Sequence, residues 1–172
     1  MLTWEIFVLD FIQTHLRSNI GDIIIPLISH LGDGGMIWLA LALALLIYPK
    51  TRKIGAAIMV SLILEIICCN LLLKPLVARI RPCDVNTAVQ LLVPAPNDFS
   101  FPSGHTGAAF AAASALYFNR SSLRFPTLVL AVLMGFSRLY LYVHYPTDVL
   151  AGAALGAFLG WTGYALVRFL AK

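Results

Sequence analysis

Five apolar runs close to the thickness of a bilayer constrain this chain more than any other feature. They cover about 35–48, 54–73, 103–118, 125–143 and 146–170. A spanning helix needs roughly 20 consecutive apolar residues. The first and third runs are short, so they extend into flanking residues or cross tilted in a thinned bilayer. Charged residues are 12% of the 172 and hydrophobic ones 60%, whereas a soluble domain carries about 25% charge. A mean hydropathy of +0.87 agrees. The sequence therefore predicts an all-α, polytopic membrane helix bundle of five or six spanning helices in a single domain, residues 1–172. The sixth crossing would be Ile20–Leu31, where Asp22, Pro26 and His30 favour a half-helix or interfacial segment.

Residues 1–31 form an amphipathic segment ahead of the bundle at 35–170. Met1–Arg17 lacks a basic leader and is interrupted by Glu5, Asp10, His15 and Arg17, which argues against a cleavable signal peptide. Trp4, Phe7, Val8, Phe11, Ile12 and Leu16 recur at helical spacing. Such a helix lies in the membrane interface or packs on the other helices. Cys68 and Cys69, adjacent in an apolar run, read as small buried hydrophobes. Cys83 is given no role.

Basic residues set the orientation. The 12 Lys and Arg outnumber the 8 Asp and Glu, for a net charge of +4. Seven of them fall in three acid-free places: Lys50, Arg52 and Lys53; Arg120 and Arg124; Arg168 and Lys172. The positive-inside rule puts these on the cytoplasmic face. The long 75–102 connection and the turn near 144–146 then share the opposite, outer face.

Three polar islands fall on that face: Lys74-x6-Arg81-Pro82, Pro102-Ser103-Gly104-His105 and Ser137-Arg138-x5-His144-x3-Asp148. Charge beside lipid is expensive, so this much of it needs a reason. Lys74 and Arg81 are nearly two helical turns apart, with Pro82 as the stop. An Arg fork fits phosphate oxygens, and Lys adds a mobile charge; snorkelling at a helix end gives the same pattern. Ser103 suits an N-cap, and Gly104 leaves N–H groups open at a helix start, where anions bind. Ser137 and His144 are expected to share one face of a helix. Asp148 is placed to fix the His144 tautomer, although a structural His–Asp pair reads alike. Taken together, two imidazoles fit a two-step phosphoryl transfer, one attacking phosphorus and the other protonating the leaving oxygen. Lys74, Arg81, Arg138 and the helix start would neutralise the phosphate. No cofactor is expected, because Asp148 is the only carboxylate in the islands, too few for a metal cage.

In spacing and order, these islands resemble the tripartite signature of the type-2 phosphatidic acid phosphatase family, part of the superfamily of vanadium haloperoxidases and bacterial acid phosphatases. The resemblance covers about 35–170. It implies His144 as the nucleophile that forms a phosphohistidine, Asp148 as its orienting partner and His105 as general acid. It also implies that Lys74, Arg81, Ser103, Gly104 and Arg138 hold the phosphate without a metal. Geometry read from sequence leaves the two histidine roles interchangeable. The Trp4-Glu5-Ile6-Phe7 run, Asn70 and the Pro-rich lead into Phe101-Pro102 look most like small bacterial undecaprenyl pyrophosphate phosphatases.

The implied activity is hydrolysis of a terminal phosphate from a lipid phosphate or diphosphate at the outer face of a bacterial cell membrane. Undecaprenyl pyrophosphate leads phosphatidic acid and phosphatidylglycerol phosphate as substrate, and a lipid phosphotransferase would use the same residues. A non-enzymatic transporter or scaffold would explain the helices and not the islands. Membrane lipids, rather than nucleic acid, are the expected partners. The row Gly152, Gly156 and Gly160 permits close helix packing within the bundle or in a homodimer. Glu65, roughly 13 Å deeper than Lys74, is expected to be a structural acid facing other helices.

Overall fold

The computed structural model describes residues 3–171. Met1 and Leu2, which begin the amphipathic segment, and Lys172, one of the seven basic residues counted above, lie outside them. Every regular element among the described residues is helical: α1 (Thr3–Phe11), α2 (Asn19–Leu31), α3 (Met36–Ile47), α4 (Arg52–Glu65), α5 (Lys74–Val77), α6 (Pro82–Val85), α7 (Gly104–Phe118), α8 (Arg124–Tyr140) and α9 (Pro146–Leu170). Wider π turns continue α1 through Ile12–Leu16 and α4 through Ile66–Leu73.

Helix α7 is the hub, and its composition explains why. Alanine is the best helix former, and its small side chain lets neighbours approach from every direction. Ala108, Ala109, Ala111, Ala112, Ala113 and Ala115 are all buried. Helices α4, α8 and α9 pack around them, with Trp38, Ile58, Leu62, Leu116 and Met134 filling the core. Along α9, a Cβ added at Gly152, Gly156 or Gly160 would run into the backbone oxygens of Ser103, Gly107 and Ala111 respectively. The glycine row is thus consumed by α7 within the bundle. The outer faces stay apolar: Leu43, Ile63, Leu71, Val129, Val132, Leu150 and Phe158 are exposed. A belt this large is a lipid-facing surface, not an ordinary solvent surface.

Two stretches are long and apolar enough to cross a membrane: Arg52–Val85 and Pro146–Leu170, of 34 and 25 residues. A third exists if the pair Asn19–Leu31 and Asp33–Ile47, bent by 44°, is one broken span. Helices α7 and α8 have 15 and 17 residues, short of the roughly 20 of a full crossing. In α1, Glu5 and Leu9 are buried while Trp4, Phe7 and Phe11 face outward. The helix therefore packs on the bundle and keeps an aromatic outer face.

Three local expectations fail. Lys74 and Arg81 do not share a helix: Ala78 takes a left-handed φ of 47°, residues 78–81 leave helical geometry, and Pro82 opens α6 instead of stopping a helix. Ser137 and His144 do not share a face either. Helix α8 ends at Tyr140, Tyr142 has φ 60°, and His144 lies in the turn beyond. The Ser137 hydroxyl is spent on the Met134 carbonyl at 2.7 Å. Finally, Ser103 makes no side-chain cap; its Oγ pairs with Thr106 Oγ1 at 3.0 Å.

Candidate active site

Five chain segments meet at one end of the bundle: the α2–α3 junction, the π-wound end of α4 with the 78–81 stretch, the loop before α7, the first turn of α7, and the end of α8 with the α8–α9 turn. They enclose a cavity of about 330 Å³ lined by Lys74, Arg81, Gly104, His105, Arg138 and His144, together with Asp33, Asp98 and loop residues 93–97. Six of the eight sequence-predicted residues thus face one space. The other two stand behind it. Asp148 backs His144, and the Ser103 N–H donates to the Asp148 carbonyl at 3.1 Å.

His144 is 1% exposed. Arg81 Nη1 donates to its Nε2 at 3.2 Å, which assigns the lone pair to Nε2 and the proton to Nδ1. Nδ1 faces Asp148 Oδ2 and Ser100 Oγ, each at 3.5 Å. Burial lowers the His144 pKa to about 3, with the Arg81 and Arg138 charges pushing the same way against the Asp148 hydrogen bond. The ring is therefore neutral near pH 7, with an unprotonated nitrogen beside a guanidinium.

The carboxylate behind it is heavily donated to. Asp148 accepts from Ser100 Oγ at 2.5 Å, Arg79 Nη1 at 2.6 Å and the Tyr145 N–H at 2.9 Å. Arg79 lies over the Tyr145 ring, 3.9 Å from its centroid. Its other arm donates to Glu5 Oε2 at 2.5 Å.

Across the cavity, His105 Nε2 donates to Asp33 Oδ1 at 2.9 Å, and Asp33 Oδ2 also accepts from His30 Nδ1 at 2.8 Å. Asp98 bridges two of the cations. Lys74 Nζ donates to one carboxylate oxygen, and Arg81 Nη2 donates to the other at 2.5 Å. Burial would raise the Asp98 pKa, but Lys74 and Arg81 hold it at about 2.

Arg138 differs from the other cations. It is 4% exposed, its Nη1 donates to Ser29 Oγ, and among the described residues its Nε has no partner and no carboxylate pairs with it. A buried charge without a counter-ion is costly, and this one faces the cavity.

A second, more apolar cavity of about 530 Å³ adjoins the first and shares Lys74, Asp98, Gly104 and His105 with it. Leu39, Met59, Leu62, Ile63 and Ile66 line it, as does Glu65. Glu65 is buried against α7, as the sequence led us to expect. Its Oε1, however, has no hydrogen-bond partner among the described residues.

Sequence reasoning missed Glu5, Asp33, Arg79, Asp98 and Ser100. Signals existed for three of them. Asp33 is flanked by glycines, Arg79 sits inside the first island, and Glu5 is an acid on an apolar helix. Nothing local marks Asp98 or Ser100 within their long loop.

Residues 54–172 match the PAP2 superfamily, and the chain belongs to it. It is 33% identical over 126 residues to an undecaprenyl-diphosphatase of Sulfolobus acidocaldarius, covering 73% of this chain and 61% of that protein. With a lipid A 4'-phosphatase of Bacteroides thetaiotaomicron it is 37% identical over 109 residues, 59% of this chain and 48% of that one. The chain thus spans about half to three-fifths of the length of these two relatives. The crystal structure of Aquifex aeolicus LpxE superimposes with a TM-score of 0.77 at 28% identity, covering 95% of this chain and 96% of that one.

Proposed function

We propose that the protein is an integral membrane phosphatase that removes the terminal phosphate of a lipid phosphate or diphosphate through a phosphohistidine. The observation that carries this reading is Arg138, a buried cation that no carboxylate among the described residues pairs and that faces the same cavity as both histidines. An anion from outside the chain completes that charge balance, and a phosphate is the anion that two imidazoles and three cations can process.

The chemistry follows from the atoms. His144 Nε2 attacks phosphorus while the bond to the leaving oxygen breaks. His105, acting as the imidazolium that Asp33 and the phosphate charge stabilise, gives that oxygen a proton. Asp148 stabilises the imidazole as it becomes cationic. Water then attacks the phosphorus, giving its proton to the deprotonated His105 as the N–P bond breaks, and inorganic phosphate departs with His144 neutral again. Lys74, Arg81, Arg138 and the N–H groups at Gly104 hold the non-bridging oxygens throughout, with Ser103 behind them. No step requires a metal.

Undecaprenyl diphosphate is the leading substrate, supported by the Sulfolobus relative. Glycerolipid phosphates are the second reading, favoured by similarity to a phosphatidylglycerolphosphate phosphatase from Bacillus subtilis, with TM-score 0.72 and 25% identity over 96% of this chain and 92% of that one. We read α3, α4, α7, α8 and α9 as five crossings of a bacterial cell membrane, with the site at its outer face, a reading supported by the basic loops at 50–53 and 120–124.

Purified His144→Ala protein is expected to lose phosphate release from every lipid of a polyprenyl and glycerolipid phosphate panel. Wild-type activity in that variant would remove the nucleophile. Activity is expected to persist in EDTA, and a strict metal requirement would contradict the scheme.

A further inference from the structure

Glu5 is a buried acid that the scheme above does not use. It is fully buried, yet both of its oxygens are occupied. Oε2 accepts from Arg79 Nη2 at 2.5 Å, and Oε1 accepts from Thr147 Oγ1 at 2.6 Å and the Thr147 N–H at 3.3 Å. Arg79 Nη1 reaches Thr147 Oγ1 at 2.7 Å and Asp148 Oδ1 at 2.6 Å. One guanidinium is thus shared by two buried carboxylates, one of them the partner of His144. Glu5 also lies outside the 54–172 family match, so α1 brings this contact to the site from beyond it.

We infer that Glu5 is a positioning residue for phosphoryl transfer, holding Arg79 so that it orients Asp148 without neutralising it. The inference rests on His144 as nucleophile. A guanidinium paired with Asp148 alone would draw that carboxylate's charge away from the His144 Nδ1–H. Glu5 takes half of the fork, and Asp148 keeps its negative charge for the imidazolium that forms as His144 Nε2 bonds to phosphorus. The other groups facing this pair are Arg81 on Nε2, Ser100 between His144 and Asp148, the Tyr145 ring under Arg79, and the Arg138 charge. None of them can take over the second arm of Arg79.

The test is single-turnover formation of phosphoenzyme from farnesyl diphosphate labelled in its terminal phosphate, with the full chain in micelles. Glu5→Gln should slow the rate constant roughly tenfold while KM and the reacting amplitude stay unchanged. Arg79→Met, which strands two buried carboxylates, should be slower still. The double variant E5Q/R79M should be faster than R79M, because the charges are removed together. Glu5→Asp should recover part of the E5Q loss. A merely structural Glu5 would lower the amplitude, as fewer molecules fold, and leave the rate constant alone. That result, or a double variant slower than R79M, overturns the inference. His144→Ala separates the two claims: phosphoenzyme formed without His144 sinks the proposed mechanism and the inference together. A dead H144A beside an unaffected E5Q sinks the inference only.

Discussion

Asp98 joins the Lys74 ammonium to the Arg81 guanidinium, so an incoming phosphate meets a carboxylate already on two of its cations. A competitor of this kind weakens binding without touching the reacting atoms. Asp98→Asn should therefore lower KM roughly threefold to tenfold with little change in kcat. A KM that rises instead would show that the carboxylate positions Lys74. The same contact has a defined acid limb. The Asp98 pKa falls from 3.8 to about 2 on folding. The stability it adds is complete above 3.8 and is lost as pH drops through about 2. Acid titration of unfolding in micelles should show that loss in the wild type and not in D98N. His144 behaves oppositely to a free imidazole. With its pKa at about 3, its ring nitrogens should show no NMR titration between about pH 5 and 8.

At the scale of elements, the contact between α7 and α9 decides whether the segments around the cavity meet. A Cβ at Gly156 would press on the Gly107 carbonyl and lie 3.0 Å from the Ala111 nitrogen. Backbone cannot rotate away as a side chain can. Gly156→Ala should cost roughly 1–3 kcal/mol despite the better helix propensity of alanine, and unchanged thermal unfolding in micelles would refute this. The glycine spacing was visible in the sequence because small residues four apart mark one helix face. The ends of α7 and α9 were visible for a similar reason: Gly104 and Pro146 punctuate long apolar runs. The α4–α6 region was not. A spacing of seven looks like two helical turns, and only the left-handed backbone at Ala78 turns Arg79 toward Asp148 and Arg81 toward His144. Asp33, Asp98 and Glu5 escaped for a different reason. Each becomes meaningful only through partners 17 to 74 residues away, a distance that local pattern does not encode.

Across the whole molecule, charge divides by end. Lys53, Arg120, Arg124 and Arg168 line one cavity opposite the candidate site, gathering the basic loops at one pole. In a background with Cys68, Cys69 and Cys83 replaced, cysteines at Arg120 and at Thr87 should be labelled from opposite sides of sealed vesicles. Labelling from the same side would invalidate the proposed topology. The apolar cavity beside the site carries a kinetic corollary. Because it opens among Leu39, Met59 and Ile66 and ends at Lys74 and His105, the proposed lipid substrate can deliver its headgroup while its tail stays in the hydrocarbon. Encounters are then confined to two dimensions. Velocity in mixed micelles should follow the surface mole fraction of substrate, so diluting it with inert detergent at fixed bulk concentration slows turnover.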